Sequence, residues 1–570
     1  MNAPFYRSSN KGGHILTIRK LALVAIPAVL AAVGTSSIGV AGQVSGPADA
    51  RPVVVTKDGP VRGLSANGVN TYLGIPYAAP PVGDLRWRPP APPARHGLID
   101  ATQFANTCPQ VTELGAFAGP SSTSEDCLYL NVFTTGTGGR PKPVLVWIHG
   151  GGNVDGETDD YDGSKVATGG PLGTPTVVIT VNYRLGLFGF LSESHLNAEG
   201  HPFANYGVLD QQAALRWVRA NAAAFGGDPN NVTLGGQSAG AINTTANIMS
   251  PAAAGLFQRA IFQSSPIPNA YFLPAAAALT LGNNFADAAG CSDAACLRAL
   301  SAQRILQLQG TANASGPFVF GGAIVDGTIV PVLPETAWTT GAYQHMPILG
   351  GTTKDDGGGN FGLSIAEYFS GPPQVAVTVE QYNANSPAVQ QQYRLASFGN
   401  DPQLAQNRIG ADPFKCDARR VLNELAATNS GFPVYGYDFT YQSAPYYFPQ
   451  MPNAAAPGGH FQPLAAHTSD IQFVFLGYHG GNLGVNLDQT SGQPRELQGA
   501  EITLSDQIVA AWTRFAKTGN PNGPALPTWQ ALTPGGGPFL QQDTPNSVET
   551  DAQYNANYKC DFWASQEASQ

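Results

Sequence analysis

The stretch from Val232 to Met249, VTLGGQSAGAINTTANIM, decides the fold. A short apolar strand runs into a glycine-rich turn and then into an alanine-rich helix. Gly236–Gly240 (GQSAG) matches G-x-S-x-G, in which a serine occupies a tight turn between a strand and a helix. A Cβ atom on either outer glycine would clash in such a turn. Ser238 is therefore predicted to be a nucleophile, held above the sheet with a helix N-terminus pointing at the oxyanion that forms.

The regions around this turn have the alternating pattern of a mostly parallel sheet. Residues 143–148 (PVLVWI), 176–181 (TVVITV) and 346–349 are buried-strand candidates, and residues 209–225 have helical spacing. Strands alternating with helices predict a central sheet covered by helices on both faces. The 67 glycines and 46 prolines predict long loop insertions. We expect an α/β-hydrolase fold.

A second glycine-rich segment follows the strand at 143–148. His149 to Gly152 reads HGGG, the type of loop that supplies backbone donors to an oxyanion. Gly151 and Gly152 are predicted donors because neither has a side chain, and the N–H of Ala239 is the predicted third donor. We expect His149 to be structural.

A serine nucleophile needs a base, and the base needs an acid that orients it. In this fold class the chain order is serine, acid, histidine. The residues alone leave three candidates for each role: for the acid Asp355, Asp356 and, more weakly, Asp326, and for the base His460, His467 and His479.

The composition limits the possible functions. Of the 570 residues, 43% are hydrophobic and 12% charged, so a large core is expected. The net charge is −10 and no basic stripe occurs, which argues against a nucleic-acid partner. No metal or other cofactor is predicted. Candidate site residues lie from 149 to 467, so one shared sheet, and one catalytic domain over residues 43–570, is expected.

The N-terminus has the pattern of a secretory signal peptide. Four basic residues precede the apolar run 21–33 (LALVAIPAVLAAV), and small residues follow it. A run of 13 residues is shorter than the ~20 that span a bilayer. Residues 1–42 are therefore predicted to be a signal peptide, with no stable membrane anchor. The mature protein is expected to be secreted or periplasmic. The six cysteines of such a chain favour disulfides, but their spacing alone allows 15 pairings.

Three long motifs resemble the type-B carboxylesterases, the family that includes cholinesterases and bacterial para-nitrobenzyl esterases. They are 125–132 (EDCLYLNV), 182–191 (NYRLGLFGFL) and 225–240 (FGGDPNNVTLGGQSAG). The resemblance runs from about Val53 to Trp563. It implies a carboxylic ester hydrolase that acts on a small-molecule ester through an acyl-enzyme.

The resemblance also chooses among the open candidates. The acid of the family lies in a K-D-E-G-like turn, which falls on 354–357 and implies Asp356 as the acid. The base begins a segment H-x-x-E-I-x-F-V-F, which corresponds to 467–475 (HTSDIQFVF) and implies His467. Asp470 replaces the usual glutamate and is expected to make a structural contact. The implied disulfides are Cys108–Cys127, Cys291–Cys296 and Cys416–Cys560.

Two departures from the family concern specificity and the base. The residue before the nucleophile is Gln237 instead of the usual glutamate. The first disulfide loop, between Cys108 and Cys127, contains Phe117 but no tryptophan. Choline-cleaving relatives place a tryptophan there as a face for the cation. A broad or neutral ester is therefore expected, not a choline ester.

Two alternatives remain at this point. One is a non-catalytic binding protein on the same scaffold, as among the adhesion relatives, which lack one or more residues of the triad. The other keeps the chemistry but specialises in a natural-product ester, such as a mycotoxin or plant phenolic ester, or in a polyester. The sequence does not indicate the oligomeric state.

Overall fold

The computed structural model describes residues 51–111, 119–264, 269–313, 321–356, 377–446, 464–475, 486–491 and 493–568. Within these ranges it has sixteen strands, which are β1 Val53–Val55, β2 Pro60–Arg62, β3 Leu64–Ala66, β4 Val69–Pro76, β5 Ile99–Asp100, β6 Tyr129–Thr134, β7 Lys142–Ile148, β8 Val177–Val181, β9 Gly227–Gln237, β10 Arg259–Gln263, β11 Phe272–Pro274, β12 Ala323–Val325, β13 Ile348–Thr353, β14 Val434–Phe439, β15 Phe539–Gln542 and β16 Ser547–Glu549.

The helices of the same ranges connect these strands. They are α1 Ser164–Thr168, α2 Gly186–Gly189, α3 Ser194–Asn197, α4 Tyr206–Asn221, α5 Ala239–Met249, α6 Ala275–Ala289, α7 Ala294–Ala299, α8 Ala302–Asn313, α9 Pro334–Thr340, α10 Val379–Asn383, α11 Pro387–Gln392, α12 Pro402–Thr428, α13 Ala500–Thr518, α14 Asp551–Tyr558 and α15 Cys560–Glu567. Among these described helices, none is both long and apolar enough to cross a bilayer.

Eleven of the described strands form one sheet, in the order β16-β15-β14-β13-β10-β9-β7-β8-β6-β4-β3. The strands from β15 to β8 in this order are parallel to their neighbours, and the outer pairs are antiparallel. Two small sheets, β1-β2-β5 and β11-β12, lie outside it. The mostly parallel central sheet that the sequence predicts is confirmed.

Successive residues of β7 point to opposite faces of the sheet, and both faces are buried. Val144, Val146 and Ile148 pack in one core cluster, whereas Leu145 and Trp147 pack in the other. The ring of Trp147 lies 5.5 Å from that of Trp512 on α13. A continuous apolar strand is needed here because helices cover the sheet on both sides.

Local boundaries differ slightly from the prediction. The predicted helix at 209–225 is α4, which begins three residues earlier at Tyr206, followed by a 3-10 turn that ends at Phe225. Gly226 then ends the segment with a φ of 82°, as expected for glycine after a helix. The strand predicted at 232–234 is longer, because the polar first part of β9 has no apolar signal but still pairs with β7.

The described residues belong to one compact unit. Residues 1–42, the predicted signal peptide, lie outside the described residues, so the boundary at 43 stays a prediction.

Candidate active site

Ser238 lies at the junction of β9 and α5, where the chain reverses from strand to helix. Its φ of 54° and ψ of −123° are strained for a residue with a side chain, as at many functional turns. A Cβ atom on Gly240 would lie 2.0 Å from the carbonyl oxygen of Ile148, and one on Gly236 would lie 2.4 Å from Gly240. The clash predicted for both glycines is therefore present, and it involves backbone that cannot move aside.

The HGGG loop follows β7 and lies next to this turn. Gly151 and Gly152 have φ values of 105° and 60°. A Cβ atom on Gly151 would lie 2.0 Å from the carbonyl oxygen of Asp155, so the loop closes tightly on itself. Within the described residues, the N–H groups of Gly151, Gly152 and Ala239 have no acceptor. These are the three donors that the sequence predicts for an oxyanion.

His149 is a buried part of the scaffold. Burial lowers the pKa of His149 to about 4, so its ring is neutral near pH 7. The ring stacks on Tyr183 with 4.5 Å between centroids. This environment suits the structural role expected for His149.

Asp356 and His467 are brought together from positions 111 residues apart. Asp356 follows the end of β13, and its Oδ1 lies 2.6 Å from Nδ1 of His467. Its Oδ2 accepts the N–H of Thr353 at 3.2 Å. Burial raises the pKa of Asp356, but the charge and hydrogen bond of His467, a hydrogen bond from Ser264 and the charge of Lys415 outweigh it. The pKa therefore lies below its usual value, which favours the anion.

The other acid candidates have structural contacts. Asp355 accepts the N–H of Ala465 at 3.1 Å and the side-chain amide of Gln442 at 2.9 Å, so it joins the acid turn to the segment that carries His467. Asp326 accepts backbone N–H groups of its own turn at 2.7 to 3.0 Å. His460 and His479 lie outside the described residues.

Asp470 is buried near the Asp356–His467 pair. Its Oδ2 accepts the hydroxyl of Tyr437 at 3.0 Å, which is the structural contact expected of it. Burial and the negative charge of Asp356 raise the pKa of Asp470 to about 7. The carboxyl therefore changes its charge close to neutral pH.

Gln237 contacts His467, the predicted base, directly. Its Nε2 lies 3.1 Å from Nε2 of His467, and the side chain is fully buried. If Nδ1 of His467 carries a proton toward Asp356, Nε2 is an acceptor, and the amide of Gln237 is the donor in this contact. A glutamate at this position could not donate.

Sequence reasoning missed a buried ionic cluster behind the acid. The ammonium of Lys415 on α12 is fully buried and lies 2.7 Å from Asp438 on β14. It also donates to the hydroxyl of Thr352 at 2.9 Å and to the carbonyl of Thr353 at 3.1 Å. The hydroxyl of Tyr558 donates to Asp438. No local pattern distinguishes Lys415 from a solvent-facing lysine, because its partners come from distant strands.

The three disulfides implied by the resemblance are formed: Cys108–Cys127, Cys291–Cys296 and Cys416–Cys560. The third joins α12 to the start of α15, next to Lys415 and two residues beyond Tyr558.

Known proteins share this architecture along almost the whole chain. A profile of the carboxylesterase family matches residues 50–563. The chain is 34% identical to para-nitrobenzyl esterase of Bacillus subtilis (strain 168), over 89% of this chain and 98% of that protein. It is also 34% identical to fumonisin B1 esterase of Sphingopyxis macrogoltabida, over 87% of each.

Among solved structures, a thermophilic PNB esterase matches with a TM-score of 0.70 and 31% identity, covering 90% of this chain and 100% of that one. These relatives favour an enzyme over the non-catalytic alternative. The fold is that of the α/β-hydrolases, and the chain belongs to the carboxylesterase family of carboxylic ester hydrolases.

Proposed function

We propose that the protein is an exported serine carboxylesterase in which Ser238 is the nucleophile, His467 the base and Asp356 the acid. The observation that carries this assignment is the 2.6 Å contact between Nδ1 of His467 and Oδ1 of Asp356. A proton on Nδ1 leaves the lone pair of Nε2 on the side of Gln237, the neighbour of Ser238. Asp356 thus fixes the tautomer that can accept a proton.

The reaction then follows in two halves. The Ser238 oxygen attacks the ester carbonyl carbon while its proton moves to Nε2 of His467. The N–H groups of Gly151, Gly152 and Ala239 stabilise the oxyanion of the tetrahedral intermediate. Collapse breaks the bond to the alcohol oxygen, which takes the proton from His467. Water attacks the acyl-enzyme in the same way, which releases the acid and restores the serine hydroxyl.

The substrate proposed is a neutral ester. The loop from Cys108 to Cys127 has no tryptophan to face a quaternary ammonium. Acetylcholine should therefore show no advantage in kcat/KM over a neutral ester of equal size. The fumonisin B1 esterase relative supports a mycotoxin ester as the specialised alternative.

Export is the second part of the proposal. It rests on the basic and apolar pattern of residues 1–42 and on the three disulfides, which persist in oxidising compartments. N-terminal sequencing of protein collected outside the cytoplasm should find a start near residue 43. A mature chain that retains residues 21–33 would refute it.

The assignment is tested with Ser238→Ala and, as a control, Ser194→Ala at an exposed position. Ser238→Ala should lower kcat by on the order of 10⁴–10⁶ while the protein stays folded. It should also lose labelling by an organophosphate, which should modify the wild type and the control stoichiometrically. Para-nitrophenyl esters of increasing acyl length then define the acyl preference. Ester hydrolysis that survives in Ser238→Ala would overturn the assignment.

A further inference from the structure

Asn153, the residue after the HGGG loop, is held by a complete set of hydrogen bonds. Its side chain is buried, and its Oδ1 accepts Nδ2 of Asn243 at 2.7 Å and the hydroxyl of Tyr183 at 3.1 Å. Its Nδ2 donates to the carbonyl of Gly321 at 2.7 Å. Its own carbonyl accepts the N–H of Gly186 at 2.6 Å. Few polar side chains are fixed from so many directions.

The backbone of Asn153 is also unusual. Its φ of 60° lies in the left-handed region, which asparagine tolerates better than most residues with a side chain. Gly152, immediately before it, has the same φ. A residue that does not tolerate a positive φ at position 153 would therefore shift the backbone that presents the N–H of Gly152.

The partners of Asn153 belong to the two halves of the proposed oxyanion hole. Asn243 lies on α5, the helix whose first residue is Ala239, the third donor. The hydroxyl of Tyr183 lies 3.0 Å from the carbonyl oxygen of His149 and 3.1 Å from Oδ1 of Asn153, so its single proton is shared between the two ends of the HGGG loop. Through Asn243, the loop donors and the helix donor are fixed relative to each other.

We propose that Asn153 is a positioning residue that sets the separation between the loop donors, Gly151 and Gly152, and the helix donor Ala239. The proposal rests on the function proposed above, because it presupposes that these N–H groups bind an oxyanion. A preorganised hole loses effectiveness when one donor moves by a fraction of an ångström, since the donors must match the oxyanion and not the ground-state carbonyl. The bond to Asn243 therefore affects the transition state more than substrate binding.

The experiment uses Asn153→Gly, which keeps access to a positive φ but removes the side chain, and Asn243→Ala, which breaks the same bond from the helix. A matched control is Asn247→Ala on α5. Asn247 is equally buried, but its amide donates to Gln211 and to the backbone carbonyl of Asn243, each at 2.9 Å, and not to the loop. The readouts are kcat and KM for a para-nitrophenyl ester and Ki for a trifluoromethyl ketone, which forms a tetrahedral adduct with the serine.

Both Asn153→Gly and Asn243→Ala should lower kcat by about 10- to 100-fold, below the loss for deleting a whole donor. Ki for the ketone should rise by the same factor, with KM within about twofold. The double variant should lose little more than Asn153→Gly alone, because that variant already lacks the bond between the two side chains. Asn247→Ala should lower the melting temperature without changing Ki. If one variant does not fold, the other reports on the same bond.

Three results would overturn the proposal: an unchanged Ki, a Ki that rises equally in Asn247→Ala, or a KM that rises as much as kcat falls. Failure of the proposed function is distinguished by Ser238→Ala. If that variant still hydrolysed the ester or bound the ketone as tightly as the wild type, the nucleophile assignment would fail whatever Asn153 does.

Discussion

The two halves of the proposed catalytic site are built by different physical means. On the nucleophile side, around Ser238, backbone packs on backbone: glycines approach carbonyl oxygens so closely that no Cβ atom fits. On the acid side, around Asp356, the chain is held by charges and hydrogen bonds from distant segments, including Lys415, Asp438 and the backbone of Ala465. The first half therefore depends on shape, and the second on electrostatic balance. The two should fail differently when single residues are changed.

The largest loss of stability is expected when one charge of a buried ion pair on the acid side is removed. Asp438→Asn leaves the fully buried ammonium of Lys415 without its counter-charge, which should cost about 3–5 kcal/mol of stability. Chemical denaturation measures this loss as a lower free energy of unfolding. The control is Asp100→Asn, which breaks an exposed pair with Arg62 and should cost less than about 1 kcal/mol. If the two variants were equally stable, the charge balance of the acid side would not matter.

A steric change tests the nucleophile side. Gly240→Ala places a methyl group 2.0 Å from the carbonyl oxygen of Ile148, and the resulting backbone shift should cost about 3 kcal/mol. Activity should fall with it, because the shift moves the turn that carries Ser238. Gly97→Ala, where a Cβ atom meets nothing within 4 Å, is the control. Full activity in Gly240→Ala would show that the turn is looser than its contacts indicate.

The third prediction concerns pH and the acid side. The pKa of Asp470 is raised to about 7 by burial and by Asp356, against about 4 for an unfolded chain. Between these values the folded protein binds a proton that the unfolded chain has lost, so this residue lowers stability as pH rises. The stability advantage of Asp470→Asn over the wild type should therefore grow between pH 4.5 and pH 8, by about 3 kcal/mol. A gain equal at both pH values would contradict the shift.

The smallest effect is expected where the two halves meet, at Gln237. When Nε2 of His467 is unprotonated, the amide of Gln237 can donate to it, and this bond favours the unprotonated base. Gln237→Glu should favour the protonated ring and move the acid limb of the kcat/KM profile upward by several tenths of a pH unit. Hydrolysis of cationic esters should be unchanged or improved. Gln553→Glu, an exposed position, adds the same charge as a control. An unchanged limb would mean that Gln237 only fills space, and a downward shift would refute the electrostatic argument.

The contrast between the two halves also explains which parts of the site could be predicted from the sequence. The nucleophile turn and the HGGG loop could be predicted from residues because their constraints act within a few positions, where glycine is the only solution. Asp355 and Asp356 could not be separated in this way. They are adjacent, and which one faces His467 depends on the pairing of Asp355 with the backbone of Ala465 and Ala466, a contact across more than 100 residues. Only the resemblance to a family chose Asp356 between the two, and in the structure it is Asp356 whose carboxylate contacts the ring of His467.

Lys415 and Asn153 are two further residues whose contacts could not be predicted from the sequence. A buried lysine has no sequence signal when its partners lie on remote strands. Asparagine after a glycine run is ordinary in loops, so the sequence gives no signal for Asn153, and its proposed positioning role depends on Asn243 on α5. In both cases tertiary contacts, not local propensity, define the role.

The disulfide between Cys416 and Cys560 has a consequence for making chimeric variants by recombination. Lys415 precedes one cysteine, Tyr558 lies shortly before the other, and both contact Asp438 on the strand between them. A chimera whose crossover falls between 438 and 558 would keep Lys415, Cys416 and Asp438 from one parent and take Tyr558 and Cys560 from the other. Unless both parents carry the same tyrosine and the same cysteine pair, such a chimera would lose the hydroxyl that donates to Asp438 and would leave Cys416 unpaired. Residues 415–560 should therefore be exchanged as a single block.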